Sequence, residues 1–419
     1  MLVLEGFRGS ATIGTSAVWP ILQFLVGVVV FAIVWRGQDR LRLAPVLLLA
    51  LGFQLGWIAL HLALGVASDF DSRIIYAQQG NQLLHGRYPS SEYPPGAVLL
   101  FAFDALVSGG SGQGVRVAEA FAMVPFQVAT VAAIWALRTP HSRWFAALVG
   151  LWPLDAFFVE FKFDPAPTAA LAVGLVLALR RRWTPAGIAL GLGAALKWTP
   201  GLAALALLVW LVASRRSRDA LRLALSFVVV FAAVNLVFVA VWPGRDAHAY
   251  TAQAARGITG ESLFYVPLKL VGRAELAPDQ PFWSGALVSH AADDAAVLLQ
   301  VTCVLLVLAA AVLVRGRLHA AVAVAAMAPV VFLLTNRVFS PQYLVLFVAA
   351  WAAAASLLVP GRREQALLAL AIGGATLANV LVYPTVTPTY WWVASAAMFV
   401  GAFAATLWIV VRAVVPAPA

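Results

Sequence analysis

Thirteen runs of almost uninterrupted apolar residues decide what this chain can become. They lie at about 17–35, 44–66, 95–107, 115–137, 144–158, 164–180, 185–213, 223–242, 295–314, 320–335, 341–359, 365–382 and 390–411. Only structures that satisfy their own backbone hydrogen bonds survive in hydrocarbon, so such runs point to helices or a closed barrel. Barrel strands alternate lipid-facing and lumen-facing residues, and these runs do not alternate. The hydrophobic set makes up 63% of 419 residues and the charged set 11%, against about 45–50% and about 25% in soluble domains. A water-soluble globule is excluded. At ~20 apolar residues per span, the composition allows at most about thirteen crossings. The expected fold is an all-α polytopic membrane protein of about 11–13 transmembrane helices, forming one domain over 1–419.

The charges orient it. Basic clusters sit between the runs: Arg36, Arg40 and Arg42; Arg138 and Arg143; Arg180, Arg181 and Arg182; Arg215, Arg216, Arg218 and Arg222; Arg315 and Arg317; Arg362 and Arg363; and Arg412. They hold 17 of 28 basic residues with three acids (Asp39, Asp219, Glu364), a net +14, and leave 11 basic and 15 acidic residues, a net −4, elsewhere. Lys and Arg accumulate in short cytoplasmic loops, so the arginine side is expected to be cytoplasmic. The pI near 10.3 then reflects topology, and no nucleic-acid partner is implied. Parity holds from Arg315 to Arg412 but fails between Arg42 and Arg138, where three runs intervene. Either 95–107, which carries Asp104, is re-entrant, or one boundary is misplaced. The first run lacks a basic leader or small-residue cleavage site and is read as a membrane segment. Cys303 is alone, so no disulfide framework or multi-cysteine metal site is expected.

On this topology the opposite face receives the longer connections, chiefly 67–94 and 243–293. The first contains Asp69-Phe70-Asp71, Tyr76, Gly86 and Glu92-Tyr93-Pro94-Pro95-Gly96. Two carboxylates at i and i+2 can supply a general base or hold a divalent cation; a solvated helix end is the plainer reading. The stretch 74–84 reads as a short amphipathic interfacial helix. The turn Phe161-Lys162-Phe163-Asp164-Pro165 sets Asp164 at a helix start, where it serves as a cap alone or as a cap with a further role.

Lys197-Trp198-Thr199-Pro200 is more specific. Its segment, 185–213, has arginines at both ends but is too short for two full spans. From Arg182 and from Arg215 to Lys197 the chain reaches about 22 and about 27 Å as helix, just short of a ~30 Å hydrocarbon core. Two shortened helices meeting at Lys197 would recess its ammonium below the surface. Intramembrane charges are functional by default, although a lysine can also snorkel outward. Arg256-Gly257 with Glu261-Ser262, and Asn336-Arg337-Val338-Phe339-Ser340-Pro341-Gln342-Tyr343, complete the set. Each also reads as an ordinary solvated loop. Arg337 is a candidate phosphate ligand, while His290, Asp293 and Asp294 read as a helix start.

In this order, over about 69–344, these motifs resemble C-type, multi-spanning glycosyltransferases that use polyprenyl-phosphate sugars, and in particular glycosyltransferase family 87. The stretches carrying the resemblance are Asp71 with Tyr76 and Gly86, Glu92-Tyr93-Pro94-Pro95-Gly96-Ala97, Asp164-Pro165, Gly191 to Lys197 with Pro200, Arg256-Gly257 with Glu261-Ser262, and Arg337 to Leu344. The acid-to-tyrosine spacing is five residues where four is more usual, and Ser90 stands where a tyrosine often follows the loop proline. The resemblance implies an acid of the first loop as catalytic base, Asp71 or Asp69. It implies Tyr76, Glu92, Asp164, Lys197, Arg256, Glu261, Arg337, Gln342 and Tyr343 as substrate-binding residues. It further implies a hexosyltransferase, by family a mannosyltransferase, moving sugar from a polyprenyl-phosphate donor to a cell-envelope glycolipid or glycan at the extracytoplasmic face of the plasma membrane.

The chemistry fits the residues without the family. A lipid-phosphate leaving group is already activated, and no nucleotide-binding G-x-x-x-x-G-K-[ST] signal is present. What the reaction needs is a carboxylate for the acceptor hydroxyl, cations for the departing phosphate, and a groove for the tail. Lys197, Arg256 and Arg337 are the cation candidates. The residues fix no cofactor and leave a divalent cation open. A transporter or flippase of lipid-linked sugars would use similar cations but favours internal repeats and mid-membrane charges; the one echo is Trp183-Thr184-Pro185 against Trp198-Thr199-Pro200. A structural subunit would need no acid pair.

Overall fold

A computed structural model describes residues 18–63, 71–89, 91–139, 141–243, 248–251, 256–275, 286–358, 361–383 and 391–415. The described chain is almost wholly helical. Helices α1 (Val18–Arg36) and α2 (Leu43–Ala63) precede a π-helical turn, Asp71–Tyr76, which runs into α3 (Ala77–Leu84). There follow α4 (Pro95–Ser108), α5 (Gly112–Trp135), α6 (Ser142–Leu151), α7 (Ala156–Phe161), α8 (Pro165–Leu179), α9 (Trp183–Leu196), α10 (Pro200–Ala213) and α11 (Ser217–Val241). The connection beyond carries short α12 (His248–Thr251) and α13 (Tyr265–Leu270), with a two-stranded antiparallel ribbon of β1 (Ala274–Glu275) and β2 (Leu287–Val288). The last part comprises α14 (His290–Leu313), α15 (Leu318–Leu334), a 3-10 turn at Pro341–Tyr343, α16 (Leu344–Leu358), α17 (Arg362–Val382) and α18 (Trp391–Val414).

Seven described helices are long and apolar enough to cross a membrane, and six shorter apolar helices accompany them. The chain is a multi-pass membrane protein. Burial sorts its helices: 83% of the 341–358 window is enclosed by protein but only 6% of that in α11, whose Leu225, Val229 and Leu236 face outward. α15 and α16 form the centre, and alanine dominates both. Small side chains let backbones approach where lipid provides no hydrophobic drive for association. Three buried tryptophans, Trp144 of α6, Trp152 just beyond it and Trp351 of α16, tie these helices to α17 and α18. Trp144 donates to Gln365 at 3.0 Å, Trp152 to Thr376 at 2.9 Å and Trp351 to Thr406 at 2.9 Å, so the indole N–H groups are not left unpaired in an apolar interior.

Two apolar runs are not single helices. The 144–158 run breaks because Trp152, preceding Pro153, is extended (φ −78, ψ 112), as clash with the proline ring dictates. In 185–213 the helix stops at Leu196, Lys197 is extended (φ −155, ψ 113), and α10 restarts at Pro200; this is the expected pair of shortened helices. At the basic turns, Arg138, Arg181 and Arg215 adopt positive φ. Each closes a helix end, and cations there complement the helix dipole.

The parity conflict falls at α4. Tyr93, just before it, lies edge-on to Tyr76, and beyond its far end Asn81 donates to the Gly110 carbonyl at 2.7 Å. A Cβ on Gly112 would lie 2.4 Å from the Arg73 carbonyl. The chain enters and leaves α4 against the same short segment, 73–81. At 14 residues, about 21 Å, α4 is shorter than a ~30 Å core. α4 is thus packed against the first-loop segment, and α2 and α5 on either side of it are the helices long and apolar enough to cross.

Candidate active site

Three short helices build the site. α8, α9 and α10 have 15, 14 and 14 residues, or about 21–23 Å each, too short to traverse a ~30 Å core. One end of each meets arginines: α8 stops before Arg180, α9 follows Arg182, and α10 stops before Arg215. Their other ends converge on Asp164, Lys197 and Pro200, recessed relative to helices of 24 or 25 residues such as α5 and α11. α4 seats against this junction. A Cβ on Gly96 would stand 2.5 Å from the Ala195 carbonyl, so only glycine lets the two backbones meet.

Four acid–base pairs gather around the junction and the loops above it. Lys197 Nζ donates to Asp164 Oδ1 at 2.5 Å, with side-chain exposures of 13% and 3%. Asp164 makes no capping bond to its own helix, so pairing is its role. The Lys197 ammonium also lies 4.4 Å from the Tyr343 ring centroid and 5.4 Å from that of Phe163, within cation–π range. Lys162 Nζ donates to Asp71 Oδ2 at 2.5 Å. Arg256 donates to Glu92 at 3.4 Å in a half-exposed pair. Arg337 pairs with Asp293 at the start of α14. The Arg337 carbonyl accepts from Thr259 N at 2.9 Å, and Phe339 N donates to Thr259 Oγ1 at 3.3 Å. The loop bearing Arg256 and Glu261 is thereby docked on the 336–340 turn.

Glu261 lies among these pairs and is buried. Burial pushes its carboxyl up to about 8, against the lowering pull of Arg256 and Lys162, while the charge on Asp71 adds to the rise. It thus lies within electrostatic reach of both the first-loop acid and two of the cations. Burial also raises the Tyr93 phenol well above its ordinary value, reinforced by the charges of Asp71 and Glu92. Tyr76 is fully buried: its ring stacks on Phe101 at 4.1 Å and meets Tyr93 and Phe163 edge-on. Tyr76 packs the wall behind Asp71. Gln342 is buried in the 3-10 turn beneath the junction. Asp69 lies outside the described residues, as does Ser90. Among the described residues, no three His, Cys, Asp or Glu side chains gather as a metal site.

Sequence reasoning missed two partners. Lys162 was legible only as a charge within an otherwise apolar turn, two residues before Asp164. Asp293 has the signature of an ordinary helix start, with Ser289 as the true cap, and only the tertiary fold brings it to Arg337.

The model of glycosyltransferase family 87 matches residues 92–262. The matched stretch contains Glu92, Lys162, Asp164, Lys197, Arg256 and Glu261, and is narrower at both ends than the 69–344 motif series. No curated protein and no solved structure gives a significant match to the chain. A family match over residues 92–262, a stretch that includes residues converging on one recessed site in a bundle of membrane helices, makes the chain a polytopic membrane glycosyltransferase similar to family 87.

Proposed function

We propose that this enzyme transfers a hexose, mannose by family resemblance, from a polyprenyl-phosphate donor to a hydroxyl of a cell-envelope glycolipid or glycan, at the extracytoplasmic face. In this reading Asp71 takes the acceptor proton, the hydroxyl oxygen bonds to the anomeric carbon, and the bond from that carbon to the phosphate oxygen breaks. The electron pair leaves with the polyprenyl phosphate. Lys197, Arg256 and Arg337 face the developing phosphate charge, where preorganised cations are most effective.

The observation that carries the reading is an asymmetry of exposure. Lys162 is 3% exposed but its partner Asp71 is 29% exposed. The acid is held from behind and open in front, as a base awaiting an acceptor must be. The orientation rests on the arginine clusters at the opposite helix ends. The test is incubation of purified protein in lipid with a panel of polyprenyl-phosphate sugars and envelope glycolipid acceptors. Transfer from one of these donors, lost in Asp71→Asn, is the expected result; a nucleotide sugar as the only working donor would overturn the reading.

A further inference from the structure

Glu160, Lys162 and Asp164 alternate along one five-residue strap that runs from the last turn of α7 to the start of α8, and each is committed to a different neighbour. Glu160, almost fully buried, accepts from Arg116 Nη2 of α5 at 3.1 Å and pairs with His61 of α2. Asp164 pairs with Lys197 at the α9–α10 junction. Between these two anchors Lys162 is extended (φ −136, ψ 144), with its N–H bonded to the Phe158 carbonyl at 3.1 Å. Its side chain reaches Asp71 Oδ2 at 2.5 Å while the ammonium stands 5.7 Å from the Tyr383 ring centroid. Asp71 itself opens the π-helical turn. The buried member of the pair is the lysine, at 3% exposure against 29% for Asp71.

We propose that Lys162 is the positioning residue of the transfer reaction: it holds Oδ2 of Asp71 from a strap pinned on both sides and leaves the other oxygen to the acceptor hydroxyl. The inference rests on Asp71 as the base. Lys162 makes and breaks no bond and touches neither sugar nor phosphate. Its contribution is orientation, since a reacting group displaced by an ångström can lose about 10²-fold in rate and a site is only as well placed as the shell supporting it. Other charged or titratable groups face the pair as well: Glu261 and Arg256 from the second loop, Tyr76 and Tyr93 from the first. Glu261, Tyr76 and Tyr93 offer no permanent cation, and Arg256 bonds to Glu92. Only Lys162 places a positive charge in contact with Asp71 among the described residues.

The test is a double-mutant cycle on the full-length protein in lipid nanodiscs, with a synthetic polyprenyl-phosphate mannose as donor and an alkyl mannoside as acceptor. Lys162→Met should lower kcat by about 10²-fold with the donor KM within about threefold of wild type, and Lys162→Arg should restore most of the loss. In an Asp71→Asn background, Lys162→Met should cost nothing further, because groups acting as one unit are not additive. Should Lys162→Met not be recovered folded, Lys162→Gln replaces it under the same criteria. A wild-type kcat, a loss appearing mainly in donor KM, or an additive loss on top of Asp71→Asn would each overturn the proposal. Asp71→Asn with full turnover would instead remove the base reading on which it rests, and is scored separately.

Discussion

Asp164 and Lys197 pair at 2.5 Å although 33 residues separate them. One begins α8 and the other ends α9, so the pair ties the termini of two short helices where α10 begins. Neither charge is well solvated: the side chains are 3% and 13% exposed. A buried pair of this kind is weak evidence for net stability, because desolvation offsets the attraction, but removing one partner strands the other. Lys197→Met should therefore destabilise the protein by about 3–5 kcal/mol. Asp164→Asn combined with Lys197→Met should recover much of that. Thermal unfolding of the four proteins of this cycle in one detergent checks it, and equal losses in the single and double variants would contradict it.

The cations are all engaged, so an anionic donor must compete with carboxylates already in place. Arg256 and Glu92 form the loosest pair, 3.4 Å apart and each 37% exposed. Exposed pairs contribute about 0–1 kcal/mol, so Glu92→Gln should leave the unfolding midpoint nearly unchanged. Arg256→Ala, by contrast, should raise donor KM and lower kcat/KM together, since a phosphate contact acts in ground and transition states alike. Steady-state kinetics with donor varied at saturating acceptor distinguishes the two; a change confined to acceptor KM would contradict it.

Glu261 sets a pH dependence whose sign follows from its burial. Its carboxyl titrates at about 8 in the folded protein against an ordinary value of 4.5. The folded state therefore holds a proton that the unfolded state has lost between those values. Stability linked to this group falls as pH rises from about 4.5 to about 8 and then levels off. Above about pH 8 the new negative charge faces the anionic donor, and donor KM should climb. Glu261→Gln stays neutral throughout, so its donor KM should be flat between pH 7 and 9. Parallel KM profiles for the two proteins would remove Glu261 from the site.

Gly96 is where α4 seats itself against α9. A methyl group there meets the Ala195 backbone at 2.5 Å, and a backbone carbonyl cannot rotate away as a side chain would. Overpacking costs about 1–3 kcal/mol, and the displaced residues lie directly before Lys197. Gly96→Ala should lower both the unfolding midpoint and turnover, whereas Gly86→Ala, at a positive-φ turn with open space around it, should affect the midpoint alone.

The helical membrane bundle was legible because hydrophobic runs and arginine turns are local signals. Lys197 at a break between two short helices followed from distance arithmetic alone, and the structure agrees with it. A re-entrant α4 was one of two alternatives, since its length and composition suit a short span equally well; contacts of Gly110 and Gly112 with residues 73–81 show that it packs on the first-loop segment. Lys162, Asp293 and the Tyr76 packing were not legible. A side chain's partner is chosen by tertiary contact: Lys162 reaches back 91 residues to Asp71, and Arg337 reaches back 44 to Asp293. Tyr76 carried a family signature for substrate binding, yet its ring is enclosed by Phe101, Phe163 and Tyr93.

The central claim is that Asp71 is the base, and one comparison tests it most directly. Turnover is measured for wild type, Asp71→Asn, Asp69→Asn and the double variant at equal folded protein, with donor binding followed separately. Asp71→Asn preserves size and hydrogen-bonding shape but removes the proton acceptor, so turnover should fall roughly 10²–10⁴-fold while donor binding persists. Asp69→Asn should be milder. A larger loss in Asp69→Asn would transfer the role to that residue, and undiminished transfer by the double variant would remove the first-loop acid from the mechanism.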